Sequence, residues 1–406
     1  MSLVRNRRIL YVTHKMPYPP NDGARIRAFN SIKRLSEHNN VWVATLTTGN
    51  ESREDFDGIS KISKGCFFGS AKHPFFWVRM LLGILKGKSL SASFFEDRTL
   101  KSTIREKTKS DHFDLIVVHS SAVAPYVIGS PIKKVMDFVD MDSVKWLEFC
   151  KTSGVLRKPL YLYEAWALKK LENICVEEFD LCTVATQAEQ EELARRPGRA
   201  AKGWFVNGVD YEFFGNEATT HYDDTLIVFL GKMDYWPNVD AVKFFTETIL
   251  PIVRSQFDGV KFRIVGASPT REVWKLAERH PNVEVTGRVN DVRPLVGPAA
   301  LSVAPLRIAR GTQNKVLESL AMRVPVVTNS LTLKGVDMRP GIDMLIGDTP
   351  AEFAEQVCSL LGSRTRREQF AAAGQRRVLE KHNWGSAMDC FEELVTSHVL
   401  SVGKDT

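Results

Sequence analysis

Short β-branched runs alternate with helix-length amphipathic stretches along most of this chain. The first series reads Ile9–Thr13, a helical pattern over 24–37, Val41–Thr47, a helix near 96–108, Leu115–Val118, a helical stretch over 121–128 and Lys134–Asp137. Two helices around 142–153 and 159–178, the apolar run Leu181–Ala185 and a strand at Gly203–Val206 complete it. That rhythm predicts βαβ units on a parallel sheet. A second series repeats it, through Leu226–Leu230, helix 238–255, Phe262–Val265, helix 270–279, Val283–Val285, Leu301–Ala304, helix 313–322 and Pro325–Thr328. Helical patterns at 351–361, 365–381 and 385–400 close the chain. The expected class is α/β with two doubly wound, Rossmann-like domains, 1–206 and 207–384, whose ligand loops face a central cleft, and a C-terminal helix, 385–406, crossing back to the first domain.

Length and composition fit that reading. A chain of 406 residues exceeds what one core supports, and 44% apolar with 25% charged residues is ordinary for soluble packed domains. A formal charge of +7 favours an anionic partner such as a phosphate-rich ligand. Nucleic acid is not expected, because the basic residues are scattered among acids and no nucleic-acid motif accompanies them. Cys66, Cys150, Cys175, Cys182, Cys358 and Cys390 form no CxxC pair and are expected to be free, mostly buried thiols of a reducing compartment. The apolar run Ile9 to Val12 after Arg5, Arg7 and Arg8 is too short for a signal-peptide core, so a cytoplasmic location is expected.

Phe75 to Leu85 is almost wholly apolar and is followed by Lys86 and Lys88. It is too short to span a bilayer. It reads either as an interfacial helix, giving peripheral contact with anionic membrane through Phe75 to Lys88, or as a buried helix.

The first βα turn, His14 to Gly23, is not a dinucleotide fingerprint, yet Asn21 or Asp22 can cap the following helix and Gly23 lets a ligand approach its N-terminus. A plain capped turn is the alternative. In the second half Gly231-Lys232 follows a strand directly, where an ammonium suits a departing diphosphate; a surface lysine in a loop is the alternative. The strongest site candidate is Arg310-Gly311-Thr312-Gln313-Asn314-Lys315-Val316-Leu317-Glu318. With Thr312 as the expected N-cap, free helical amides and Lys315 face phosphate oxygens, and Glu318 one turn on suits a ribose diol. An exposed i,i+3 pair of Lys315 and Glu318 is the alternative. His119, at a strand end, is a candidate catalytic or substrate-contacting group, with a purely structural histidine as the alternative. Asp137, Asp140 and Asp142 could bind hydroxyls or a divalent ion, but capping of the next helix is the favoured reading.

The elements Asn207-Gly208-Val209-Asp210 with Phe213, Gly231-Lys232, and Lys315…Glu318 before Ala321-Met322-Arg323-Val324-Pro325-Val326-Val327 resemble retaining GT-B glycosyltransferases of family 4. The first loop ending Asn21-Asp22-Gly23-Ala24-Arg25 and the run Met233-Asp234-Tyr235-Trp236-Pro237-Asn238 are most similar to exosortase-associated sugar transferases of exopolysaccharide loci. The resemblance implies an N-terminal acceptor domain, a C-terminal nucleotide-sugar domain, transfer of a hexosyl-type sugar with retention to a saccharide or lipid-linked acceptor, and no required cofactor or metal. By position it implies Glu318 as ribose ligand, Lys232 as diphosphate contact, Gly23 near the same phosphates and His119 beside the transferred sugar. Two departures stand out: Arg310 occupies the place of the family's first glutamate, and the second basic residue after the Gly-Lys turn is missing, a charge that Lys315 is expected to supply. A GT-B sugar-nucleotide epimerase and a catalytically silent nucleotide-sugar-binding protein are the alternative functions.

Overall fold

The computed structural model describes residues 3–72, 76–215 and 222–400. The chain divides into two compact units, Met1–Phe205 with Ala387–Thr406, and Val206–Ser386.

The first unit is built on seven strands: β1 (Arg8–Thr13), β2 (Asn40–Thr47), β3 (Gly65–Ser70), β4 (Leu115–His119), β5 (Lys134–Val139), β6 (Leu181–Val184) and β7 (Ala201–Trp204). They lie in the order β3-β2-β1-β4-β5-β6-β7 and every pairing is parallel. The chain therefore winds outward in both directions from the β1/β4 pair, where Thr13 stands opposite His119. Such a reversal leaves a crevice at the strand C-termini, the place where open α/β sheets bind ligands. Helices cover the sheet, so Leu10, Val12, Ile116, Val118 and Met136 are fully buried. The helices of this unit include α1 (Gly23–Ser36), α2 (Phe76–Leu85), α3 (Asp142–Thr152) and α4 (Lys158–Glu178). The last helix, Trp384–Val395, also supplies this unit: Phe391 packs on Phe205 with ring centroids 4.9 Å apart, and Asp389 accepts from Arg34 at 2.6 Å.

The second unit repeats the plan with β8 (Asp223–Leu230), β9 (Lys261–Val265), β10 (Val283–Gly287), β11 (Ala299–Ala304), β12 (Val326–Thr328) and β13 (Leu345–Ile346). Their order is β10-β9-β8-β11-β12-β13, again all parallel, with the reversal between β8 and β11. α5 (Trp236–Phe244) follows β8 and α6 (Asn314–Ala321) follows β11. The single helix expected over 238–255 is broken by a π-helical turn, Phe245–Ile249, ahead of Leu250–Arg254. Pro251 has no amide to donate into a regular ladder at that place.

α2 is not a buried helix. Of its residues only Gly83 is buried, whereas Phe76, Trp77, Leu81, Leu82 and Leu85 are exposed; Phe75 lies outside the described residues. Among the described residues no helix is long and apolar enough to cross a membrane. All six cysteines are free, four of them buried.

Candidate functional site

In the second unit the turn after β8 and the start of α6 are tied together by Asn238, a buried residue of α5. Its Nδ2 donates to the Lys232 carbonyl at 2.9 Å, and its Oδ1 accepts from Lys315 Nζ at 2.9 Å. Gly231 is required by this arrangement, because a Cβ there would sit 2.8 Å from Asn238 Nδ2. Gly266, φ +153°, closes on the same turn: a Cβ would collide with the Gly231 carbonyl. The Lys315 ammonium also lies 5.6 Å from the centroid of the Phe229 ring, a cation–π contact.

Thr312 does not cap α6. The N-cap is Gln313, whose buried side chain turns back to donate to the carbonyls of Arg310, at 2.9 Å, and Gly311, at 3.3 Å. Gly311 adopts φ +61°, and this left-handed step carries the chain past the position Thr312 would need for capping. The result is a helix start with no side-chain cap. Its orphan amides remain available, and Thr312 Oγ1 and Asn314 Oδ1 are buried with no hydrogen-bond partner among the described residues.

Lys315 and Glu318 are not an exposed pair. Both are half-buried, and burial pushes Glu318 up to about 7 and Lys315 down to about 8, each partly opposed by the other's charge. A ligand bringing negative charge beside Lys315 would reverse part of that penalty. Lys232 differs: its ammonium is exposed and pairs with Asp234 at 3.1 Å, so only its backbone is fixed within the cluster.

In the first unit Gly23 opens α1, whose N-cap is Asp22, accepting from the Arg25 amide at 3.0 Å. The end of β4 carries a buried polar cluster. His119 Nδ1 lies 3.2 Å from Asp137 Oδ2, and Asp137 is gripped by Arg27 through Nε at 2.8 Å and Nη2 at 2.9 Å, with Thr183 Oγ1 donating at 3.1 Å. Burial works against the Asp137 carboxylate, yet the Arg27 guanidinium and His119 hold it far below the usual carboxylate range. An ionised carboxylate only accepts, so this contact places a proton on His119 Nδ1. Among the described residues Nε2 is buried without a partner. Ser120, φ +83°, and Val139, φ +69°, strain the backbone next to this cluster.

The favoured capping role of the aspartates is therefore overturned. α3 has Met141 at its N-cap with no side-chain bond. Asp137 points into the unit to neutralise Arg27, Asp142 binds Lys145 and Ser121, and burial lifts Asp140 to about 7. His14 was missed by sequence reasoning. It stacks on His119 at 6.2 Å, and burial, His119 and Lys15 hold it down to about 3. Its signal was its place, the residue directly after β1 at the β1/β4 reversal.

Residues 224–363 match the family model described as glycosyl transferases group 1, a stretch that contains Gly231, Lys232, Lys315 and Glu318. No curated protein matches the chain. Solved structures match over nearly its full length. HepE of Anabaena in complex with UDP-glucose is 14% identical, with 97% of this chain and 100% of that one covered and a TM-score of 0.67. Sucrose-phosphate synthase of Thermosynechococcus elongatus is 13% identical, with 96% and 99% covered and a TM-score of 0.70. A mutant TarM of S. aureus in complex with fondaparinux, α-GlcNAc-glycerol and UDP is 11% identical, with 96% and 99% covered and a TM-score of 0.64. The fold is that of the GT-B glycosyltransferases, two Rossmann-like domains.

Proposed function

We propose that this chain is a retaining glycosyltransferase that moves a hexosyl-type sugar from a nucleotide-sugar donor to a saccharide or lipid-linked acceptor. The observation that carries the reading is the α6 start. Uncapped helical amides, the unpartnered Thr312 and Asn314 oxygens and the Asn238-held Lys315 converge at the β8/β11 reversal, with Glu318 one turn behind. The family match over 224–363 and the UDP-glucose bound by HepE support it.

In this reading the helix amides, Lys315 and Lys232 stabilise the diphosphate as the glycosidic bond breaks. Gly231, Gly311, Thr312 and Asn314 line its approach, and Glu318 accepts from the ribose hydroxyls. His119 offers Nε2 to a hydroxyl of the transferred sugar, and Gly23 keeps the start of α1 open to the phosphates. The leaving phosphate takes the acceptor's proton, so the step needs no separate base, cofactor or resident metal. The site of action we assign is the cytoplasm, at the inner face of the membrane, in exopolysaccharide or cell-surface glycan synthesis.

Arg310, standing in place of a glutamate of the resembled family, favours one second reading, a catalytically silent nucleotide-sugar-binding protein. Release of nucleoside diphosphate from a panel of nucleotide sugars separates the two. Release that falls at least tenfold in Lys315→Ala supports transfer; tight binding with no release supports the silent protein.

A further inference from the structure

The exposed face of α2 is apolar where a surface helix is ordinarily polar. Trp77, Leu81 and Leu85 recur at i, i+4 and i+8, with Leu82 beside them, and Leu85 is 76% exposed. α4 packs alongside: Tyr163 Oη donates to the carbonyls of Ile84, at 3.2 Å, and Lys88, at 2.9 Å, and the Trp166 ring lies against Gly87. Exposed apolar residues recur on α4, with Leu162 and Trp166 one turn apart on one face and Leu160 near its start, and on the α3–α4 connection, where Val155 is 79% and Leu156 97% exposed. Single exposed apolar residues are normal, but a run of this extent across two neighbouring elements marks a surface that is covered in use.

Charge identifies what covers it. Residues 76–95 contain Arg79, Lys86 and Lys88 and no acid, although Glu96, next in sequence, pairs with Lys88 at 3.3 Å and leaves Arg79 and Lys86, among the described residues, as the uncompensated cations of this stretch; residues 151–163 contain Lys151, Arg157 and Lys158 and no acid. Lys169 and Lys170 follow on the exposed side of α4, whereas Glu164 is buried and spent on the Leu90 and Ser91 amides. A second copy would bring these cations against one another. An anionic bilayer instead takes the leucines and tryptophans into its interface and the lysines at its headgroups.

We propose that α2 and the α3–α4 tip together form one docking surface for an anionic lipid membrane. This deepens the placement at the inner face of the membrane proposed above and rests on it, and its test needs no nucleotide sugar, so its failure leaves the sugar-transfer reading standing. The full chain is sedimented with vesicles of phosphatidylcholine alone and of phosphatidylcholine mixed with phosphatidylglycerol. We expect binding to the anionic vesicles only, weakened by high salt. The exposed-site variants Leu85→Glu and Leu156→Glu, combined, should lower partitioning at least tenfold with the melting temperature unchanged, and Lys86→Ala should lower it about fivefold. Wild-type protein left in the supernatant with anionic vesicles overturns the proposal. So does undiminished binding of the double variant, or self-association in light scattering that Leu156→Glu abolishes, which would make the face a contact between copies.

Discussion

Lys315 and Asn238, on helices that follow two different strands, are joined by a 2.9 Å hydrogen bond between ammonium and amide oxygen. The same amide holds the Lys232 carbonyl through Nδ2, so one side chain sets the spacing between the turn and the helix start. Asn238→Ala should cost about 2 kcal/mol of stability, read as a lower denaturant midpoint, because a half-buried cation loses its main partner and the Lys232 carbonyl loses a donor. Asn238→Asp should weaken nucleoside diphosphate binding more than the alanine variant does, since the new carboxylate repels the ligand and neutralises Lys315.

The half-buried pair gives a pH signature. Glu318 is raised to about 7, so its contribution is fully present below its unfolded value near 4.5 and is lost as pH climbs through 7. Lys315 is lowered to about 8, so its contribution is present above 10.5 and is lost as pH falls through 8. Glu318→Gln should therefore stabilise the ligand-free protein at pH 8, by on the order of 2 kcal/mol, and have little effect at pH 4. Thermal melts at the two pH values check this. Diphosphate affinity should decline as pH rises past 8 and Lys315 loses its proton.

Asp137→Asn tests the first-unit cluster. The variant leaves Arg27 buried without its counter-charge, and a loss of about 3 kcal/mol is expected by chemical denaturation. The asparagine oxygen would stay with Arg27 and its NH2 would face His119, driving the imidazole proton from Nδ1 to Nε2. Nitrogen NMR of the ring reads that change directly, and the wild type should show Nδ1 protonated.

His382 anchors the Asn207-Gly208 segment from within the second unit. Its Nδ1 donates to the Asn207 carbonyl at 3.0 Å, and its Nε2 accepts from the Asp337 amide at 3.1 Å. Burial lowers its pKa, so its contribution is present above about 6.5 and is lost as pH falls through the depressed value. His382→Ala should destabilise the unit by about 2 kcal/mol at pH 7 and by less at low pH, checked by urea melts across that range. Gly208→Ala should be comparably damaging, because a Cβ there would lie 2.6 Å from the Trp384 amide nitrogen.

The repeated βαβ plan was legible because each central strand, such as Leu115–His119, is a short apolar run between helical patterns. β3 escaped notice: Gly65-Cys66-Phe67-Phe68-Gly69 lacks β-branched residues, and an edge strand needs fewer of them. Lys315 and Glu318 were visible through helical spacing, but the link from Lys315 to Asn238 spans 77 residues and has no local signature. The same holds for Arg27, whose partner Asp137 lies 110 residues away and was read as a helix cap for want of any view of the interior. Thr312 was a sound local choice of N-cap, defeated by the left-handed step at Gly311. The exposure of Val155 and Leu156 was equally hidden, since two apolar residues in a connection look like core until the fold turns them outward.

The most direct test is calorimetric titration of nucleoside diphosphates and of inorganic pyrophosphate into the wild type, Lys315→Ala and Glu318→Ala. The account expects one nucleoside diphosphate to bind the wild type. Lys315→Ala should weaken both ligands at least tenfold, and Glu318→Ala should weaken the nucleoside diphosphate while leaving pyrophosphate unchanged. Equal affinities across all three proteins would contradict it.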